Sequence, residues 1–324
     1  MKKANKTFLF LNLVLILLII LVYDVFHFFP KAYEEARPWL GEKAFSVDSV
    51  FISVKEFGAH PEKDFSIFKN NNIWHISLTN EENPKSYFVD SEKINSLLNE
   101  LSRFRKFGKS VKELNDSEFR KDGKSFRLLL KENNNKIADL ELGDCFEIKS
   151  ECLIRHSNTK LAYSVPIDFI PQIGGGEFDF FLTAKPFSFL SIENLESFTY
   201  MKKNVVLLDL KKEGDVWISL PASENKLSKT KVDNLLLRVV SLAGVSGMTE
   251  SSLGQLKLKD TNGDESLRLV LAENGSKKEY GLLDRGSLNQ GERVLQLSPN
   301  GQYVVMPSYV WDYWQNFDIR QLEE

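Results

Sequence analysis

The chain has 324 residues, more than one hydrophobic core usually serves, and two domains of roughly 100–150 residues are expected. A hydrophobic share of 42% with 27% charged residues excludes global disorder. Setting Lys2, Lys3 and Lys6 aside leaves 39 basic against 45 acidic residues, a net charge of −6, which excludes a nucleic-acid partner.

Residues 8–23, FLFLNLVLILLIILVY, contain Asn12 as their only strongly polar member. They would span roughly 24 Å as a helix, and extension through residue 29 supplies the rest of a ~30 Å hydrocarbon core. The three lysines ahead of them keep the N-terminus in the cytoplasm. A cleaved signal peptide is the rival, but no small-x-small site follows Val22. The expectation is a cytoplasmic tip and transmembrane anchor at 1–30, with the membrane as a partner through a single span at residues 8–29. A neck at 31–43 then leads into a body outside the inner membrane.

Residues 44–55 alternate apolar and polar positions as a half-buried strand does, and Asn70-Asn71-Asn72 marks a hairpin. Asp90 is a helix N-cap, followed by the stripe Ile94, Leu97, Leu98, Leu101 and Phe104. Arg103, Arg105, Lys106, Lys109 and Lys112 near its end read as solvated cations that complement the helix dipole.

The chain repeats itself. Residues 125–133, SFRLLLKEN, return 141 positions later as SLRLVLAEN, and Val165-Pro166 returns as Met306-Pro307. Trp74 and Trp217 end matching strands, where a sheet anchor is the reading preferred over a glycan platform. Ser228 caps a second stripe of Val232, Leu235, Leu236, Val239 and Leu242, at an offset of 138. The expected architecture is therefore α+β, an N-terminal transmembrane helix followed by two tandem copies of a mainly antiparallel sheet with one main helix each. The first copy is placed at 44–173 and the second at 191–324, with residues 192–200 answering 47–55. Between them 174–190 forms a connector, and Gly174-Gly175-Gly176 is read as its flexible joint.

Chemistry is sparse. His27, His60, His75 and His156 form no metalloprotease spacing, and Gly244-Val245-Ser246-Gly247 lacks the nucleophile-elbow pattern. Asp260-Thr261-Asn262-Gly263-Asp264-Glu265 fails the EF-hand pattern and reads as a hairpin between strands at 256–259 and 266–271. No catalytic residue, metal site or cofactor is expected. Cys145 and Cys152, on neighbouring strands, are candidates for a disulfide, with two free buried thiols the alternative. Tyr309, Trp311, Tyr313, Trp314 and Phe317 form the densest aromatic group; packing is the default reading and a partner-facing patch the sharper one.

The two copies of the helix motif, DSEKINSLL from Asp90 and SKTKVDNLL from Ser228, and the strand ends Val165-Pro166 and Met306-Pro307, carry a resemblance. The chain resembles a bacterial membrane-anchored family of unknown function, a tandem α+β repeat often found beside gliding-motility-type ABC transporter components. The resemblance implies a non-enzymatic binding or scaffolding module accessory to an ABC-type transport or envelope complex, with transporter subunits as partners. An envelope hydrolase acting on peptide or glycan, or a ligand-binding protein with a cleft between the copies, are the alternatives.

Overall fold

The computed structural model describes residues 12, 14, 15, 40–56, 63–79, 84–103, 113–119, 124–146, 151–166, 169–219, 227–256, 258, 267–273, 279–289 and 291–323. In the first copy β1 (Ser49–Glu56), β2 (Lys63–Asn70), β3 (Ile73–Leu78) and β4 (Tyr87–Phe88) run antiparallel. Helix α1 (Ser91–Arg103) follows, and β5 (Lys124–Glu132) then pairs with β1. Next come β6 (Asn135–Phe146), β7 (Glu151–His156) and β8 (Ala162–Pro166), giving the order β4-β3-β2-β1-β5-β6-β7-β8.

The second copy has β9 (Leu195–Lys202), β10 (Val205–Glu213), β11 (Val216–Ser219), helix α2 (Lys229–Val240) and β12 (Ser246–Met248). It continues with β13 (Leu267–Glu273), β14 (Glu279–Asn289), β15 (Glu292–Ser298), β16 (Gln302–Pro307) and helix α3 (Ser308–Gln315). Its sheet runs β11-β10-β9-β13-β14-β15-β16-β12. Seven strands thus follow one order in both copies. The eighth does not: β4 extends the β3 edge, whereas β12 extends the opposite edge beside β16.

These findings correct the expected fold class. Among the described residues the body is two eight-stranded antiparallel sheets with few helices, and no helix is long and apolar enough to cross a membrane. Of the span expected at residues 8–29, only residues 12, 14 and 15 fall among those described. Of the strand expected at 256–259, Leu256 and Leu258 are described and neither is in a strand; residues 257 and 259 and the turn expected at 260–265 lie outside the described residues.

Local chemistry explains the elements. The tight turns of three hairpins use pairs with positive φ, Asn71-Asn72, Asn133-Asn134 and Lys203-Asn204, as the right-handed twist of the flanking strands requires. Ile94, Leu97, Leu98 and Leu101 in α1, and Val232, Leu235, Leu236 and Val239 in α2, are all buried against their sheets. Asp90 Oδ1 accepts from the Glu92 N–H, whereas Ser228 uses only its backbone carbonyl, which accepts from the Val232 N–H. The register places Tyr200 against Leu269 as Ile52 stands against Leu128, so β9 answers β1 at an offset of 148.

The repeated unit also runs past the glycine triplet. A one-turn helix at Phe178–Phe181 matches another at Ile319–Leu322. The Asp90 N–H donates to the Phe181 carbonyl at 2.9 Å, and the Ser228 N–H to the Leu322 carbonyl at 2.8 Å. Val89 bridges Leu182 as Leu227 bridges Glu323. The first copy therefore closes near residue 182, and Gly174-Gly175-Gly176 lies inside it. All three glycines have positive φ, and a Cβ on Gly176 would sit 2.5 Å from Val54 Cγ2. A Cβ on Gly174 would lie 2.1 Å from the Phe180 ring. Gly174 and Gly176 are glycine because side chains, the Phe180 and Phe126 rings among them, pack onto their backbone, which a free joint would not need.

Gly175 also has positive φ but faces open space. Gly175→Ala should therefore cost about 1 kcal/mol in chemical denaturation. Gly176→Ala adds a clash in the core and should cost about 3 kcal/mol or more. Equal costs would show that the triplet is not packed.

Candidate functional site

The two copies meet along a seam built from β4, residues 182–190 and β16. Tyr87 packs in the first core, yet its neighbour Phe88 packs in the second. This is the period of a strand at work: consecutive side chains leave opposite faces, so a two-residue strand can serve both cores. The Phe88 ring stacks on Phe189 at a 4.3 Å centroid distance and leans on Tyr280 at 6.1 Å.

Gln302, on β16, has no exposed surface. Its Oε1 accepts from the Phe88 N–H at 2.9 Å, and its Nε2 donates to the Thr183 carbonyl at 2.9 Å. The Thr183 N–H in turn donates to the Phe88 carbonyl at 3.1 Å. One carboxamide thus ties together a strand of the first copy, the connector and a strand of the second. Gly247 allows the close approach, because a Cβ there would meet the Thr183 carbonyl oxygen at 2.6 Å. Lys85–Glu250 at 3.3 Å and Lys185–Glu92 at 2.8 Å flank the seam, both exposed.

Beside this network lies a cleft of about 320 Å³, lined by the Asn71-Asn72 turn, Ile73, Phe88, Ser91, Ser188 and Phe189 among others. The Ser188 and Thr183 hydroxyls both donate to the Lys185 carbonyl. The stacked Phe88 and Phe189 rings provide apolar lining, and the two asparagines and Ser91 provide polar lining. Such a lining suits a small polar ligand with one apolar face.

Of the residues singled out in the sequence, Cys145 and Cys152 are joined by a disulfide across β6 and β7, just beyond a register shift. The aromatic group of residues 309–317 packs largely into the second core, the default reading of the sequence. Trp311 and Trp314 are completely buried in the second core, Phe317 is buried and Tyr313 half-buried; Tyr309 alone is exposed. The reason is the amphipathic helix α3, whose inner face needs large rings to fill the space over its sheet. Trp74 and Trp217 are buried in their respective cores, and Lys69 sits over the Trp74 ring at 4.8 Å. His75 stacks on Phe68 and its Nδ1 lies 3.1 Å from the Ser86 hydroxyl. His27, His60 and the cations Arg105, Lys106, Lys109 and Lys112 lie outside the described residues.

The buried carboxylates Asp139 and Asp284 have partners, whereas Asp64 Oδ1 is buried without one among the described residues. Asp139 takes two hydrogen bonds from Arg127, at 2.8 and 2.9 Å. Glu141 and Asp116 hold the buried Arg155, whose guanidinium also covers the Phe119 ring at 4.2 Å. Asp284 Oδ2 accepts from Arg293 and from Trp311 Nε1 at 2.9 Å, and its Oδ1 from the Gly286 N–H. Burial pushes the Tyr200 hydroxyl up to about 12, and it donates to the Trp314 carbonyl. Among the described residues no group of three or more His, Cys, Asp or Glu could hold a metal ion.

Gln302 and Asp284 were missed in the sequence. The signal for both is the repeat itself: at matching positions the first copy carries Leu161 and Leu142, so each is a polar replacement inside an apolar strand. Comparison with family models, curated proteins and solved structures returned no match to this chain.

Gln302→Leu would leave the Phe88 N–H and the Thr183 carbonyl buried without partners, costing about 2–4 kcal/mol in urea denaturation. A second test is acidic pH. The Arg127 hydrogen bonds hold the Asp139 carboxyl below its ordinary value. Stability from this pair is present above the unfolded-state value of about 3.9 and is lost as pH falls through the lower folded value. Asp139→Asn should therefore flatten the acid limb of the stability curve; an unchanged limb would contradict the assignment.

Proposed function

We propose that the protein is a non-enzymatic extracytoplasmic binding and scaffolding module, an accessory of an ABC-type transport or envelope complex. The observation that carries this reading is the outer edge of the second sheet. β11 is four residues long and pairs with residues 210–213 of β10. In the first copy β3 covers residues 65–70 of β2 and is itself covered by β4. Among the described residues no strand covers β11. Val205, Val206, Leu207 and Val216, on this hairpin, are all exposed. An apolar sheet edge left open is a template on which an extended segment of a partner adds as a further strand. The disulfide supports a compartment outside the cytoplasm, where such bonds persist.

A second reading, ligand binding between the copies, is favoured by the 320 Å³ cleft at the seam, a volume within the range of small-molecule sites. It is compatible with the first, since cleft and open edge are separate surfaces.

A photo-crosslinker placed at Val216 of the full chain should capture a membrane-complex protein in intact envelopes. Val206→Glu combined with Leu207→Glu should lower that capture roughly tenfold while leaving thermal unfolding unchanged. Capture of nothing, or capture indifferent to the double substitution, would reject the reading.

A further inference from the structure

The two copies differ at one place where their shared architecture makes the comparison direct. In the first copy the groove between α1 and the closing turn is filled. Lys93 Nζ sits 4.7 Å over the Phe180 ring and donates to the Phe180 carbonyl. The Ser96 hydroxyl donates to Gln172 Oε1 at 2.8 Å. Gly174 permits this, since any side chain there would collide with Phe180.

In the second copy the corresponding positions are Lys231, Asn234, Tyr313, Gln315 and Gln321. The ring that closes the groove is gone. A cavity of about 160 Å³ stands in its place, lined by Lys231, Asn234, Arg238, Gln321 and Tyr313 over a buried floor of Leu235, Phe317 and Leu322. Arg238 replaces Glu100 of the first copy, so the groove has gained a cation and lost an acid. The Arg238 guanidinium lies 4.0 Å over the Tyr313 ring. Lys231 Nζ donates to the Glu323 carbonyl at 2.5 Å. Neither cation is in an ion pair with a carboxylate among the described residues.

We infer that this cavity in the second copy binds a small oxyanion, a carboxylate or phosphate group. A guanidinium stacked on an aromatic ring keeps its planar fork of donors held in one orientation, which suits the two oxygens of such a group. Lys231 supplies a second positive charge, and the Asn234 and Gln321 carboxamides supply neutral donors. The volume admits the anionic group itself, with the rest of its bearer outside.

The test is titration of the full chain, with ¹⁵N-labelled arginine, by acetate and by inorganic phosphate. The Arg238 Nε–H signal is identified by its loss in Arg238→Gln. That signal should shift saturably with at least one of the two anions, and the anion that saturates it identifies the group as carboxylate or phosphate. Lys231→Met should weaken the binding on the order of tenfold, as expected for one charged contact. Gln315→Gly with Gln321→Phe restores the pair that fills the first copy and should abolish the shift. No saturable shift in the native chain overturns the inference, as does a shift undiminished by Lys231→Met. Should the double variant fail to fold, the exposed Lys231→Met decides alone.

Discussion

The structure depends on the burial of a single carboxamide. Two sheets of the same design could lie side by side in many orientations, because apolar contact is non-directional. Gln302 removes that freedom. Its oxygen and nitrogen need partners of opposite kind, and the buried seam offers them only when β4, the connector and β16 are all in place. The cost of leaving any of these groups unpaired makes every other arrangement expensive, so a polar group in a dry interface fixes geometry that the phenylalanines around it cannot. Phe88 shows the consequence: a residue whose strand hydrogen-bonds in the first sheet has its ring in the second core.

Much of the fold was legible in the sequence because it was written twice. Residues 125–132 and 267–273 of the two repeated segments lie in β5 and β13, each at the centre of its sheet, and the helix stripes mark the buried faces of α1 and α2. Asn71-Asn72 was legible as a turn for the separate reason that its backbone is left-handed. What stayed hidden was anything that breaks the repeat. The eighth strands, β4 and β12, are two and three residues long, too short for any periodicity. The glycine triplet resembled a joint because composition cannot distinguish a glycine that needs freedom from one that needs room for a neighbour. The aromatic group of α3 was visible as a cluster, but which of its rings face inward is set by the helix phase over the sheet. Tyr309 and Trp311 are two residues apart and lie on opposite faces.

Departures between the copies are also where chemistry has been free to change. Each copy has a register shift in the hairpin that follows its central strands, between Leu142 and Cys145 in one and between Asp284 and Gly286 in the other. A bulge loosens pairing and increases twist, so both hairpins need something to hold them beyond it. The first copy uses a covalent bond between Cys145 and Cys152. At the same two positions the second copy has Ser287 and Arg293, and Arg293 reaches back to the buried Asp284, which Trp311 and the Gly286 N–H complete.

These solutions are not equivalent in what they demand of their surroundings. A disulfide asks only for two neighbouring positions and an oxidising compartment, and it needs no helix above it. A buried carboxylate must have its acceptors saturated, or its desolvation outweighs what it contributes. Asp284 can therefore exist only under a helix that brings an indole N–H to it. That helix is α3, eight residues long, whose counterpart in the first copy is the four-residue turn Phe169–Gln172 ahead of the glycines. Tyr313 of that helix, at the position of Gln172, lies over α2, where it meets Arg238. The shorter turn leaves room for Gly174 and the Phe180 ring instead. A different choice of how to pin one hairpin thus goes together with a different surface on the far side of the helix, filled in one copy and open and cationic in the other.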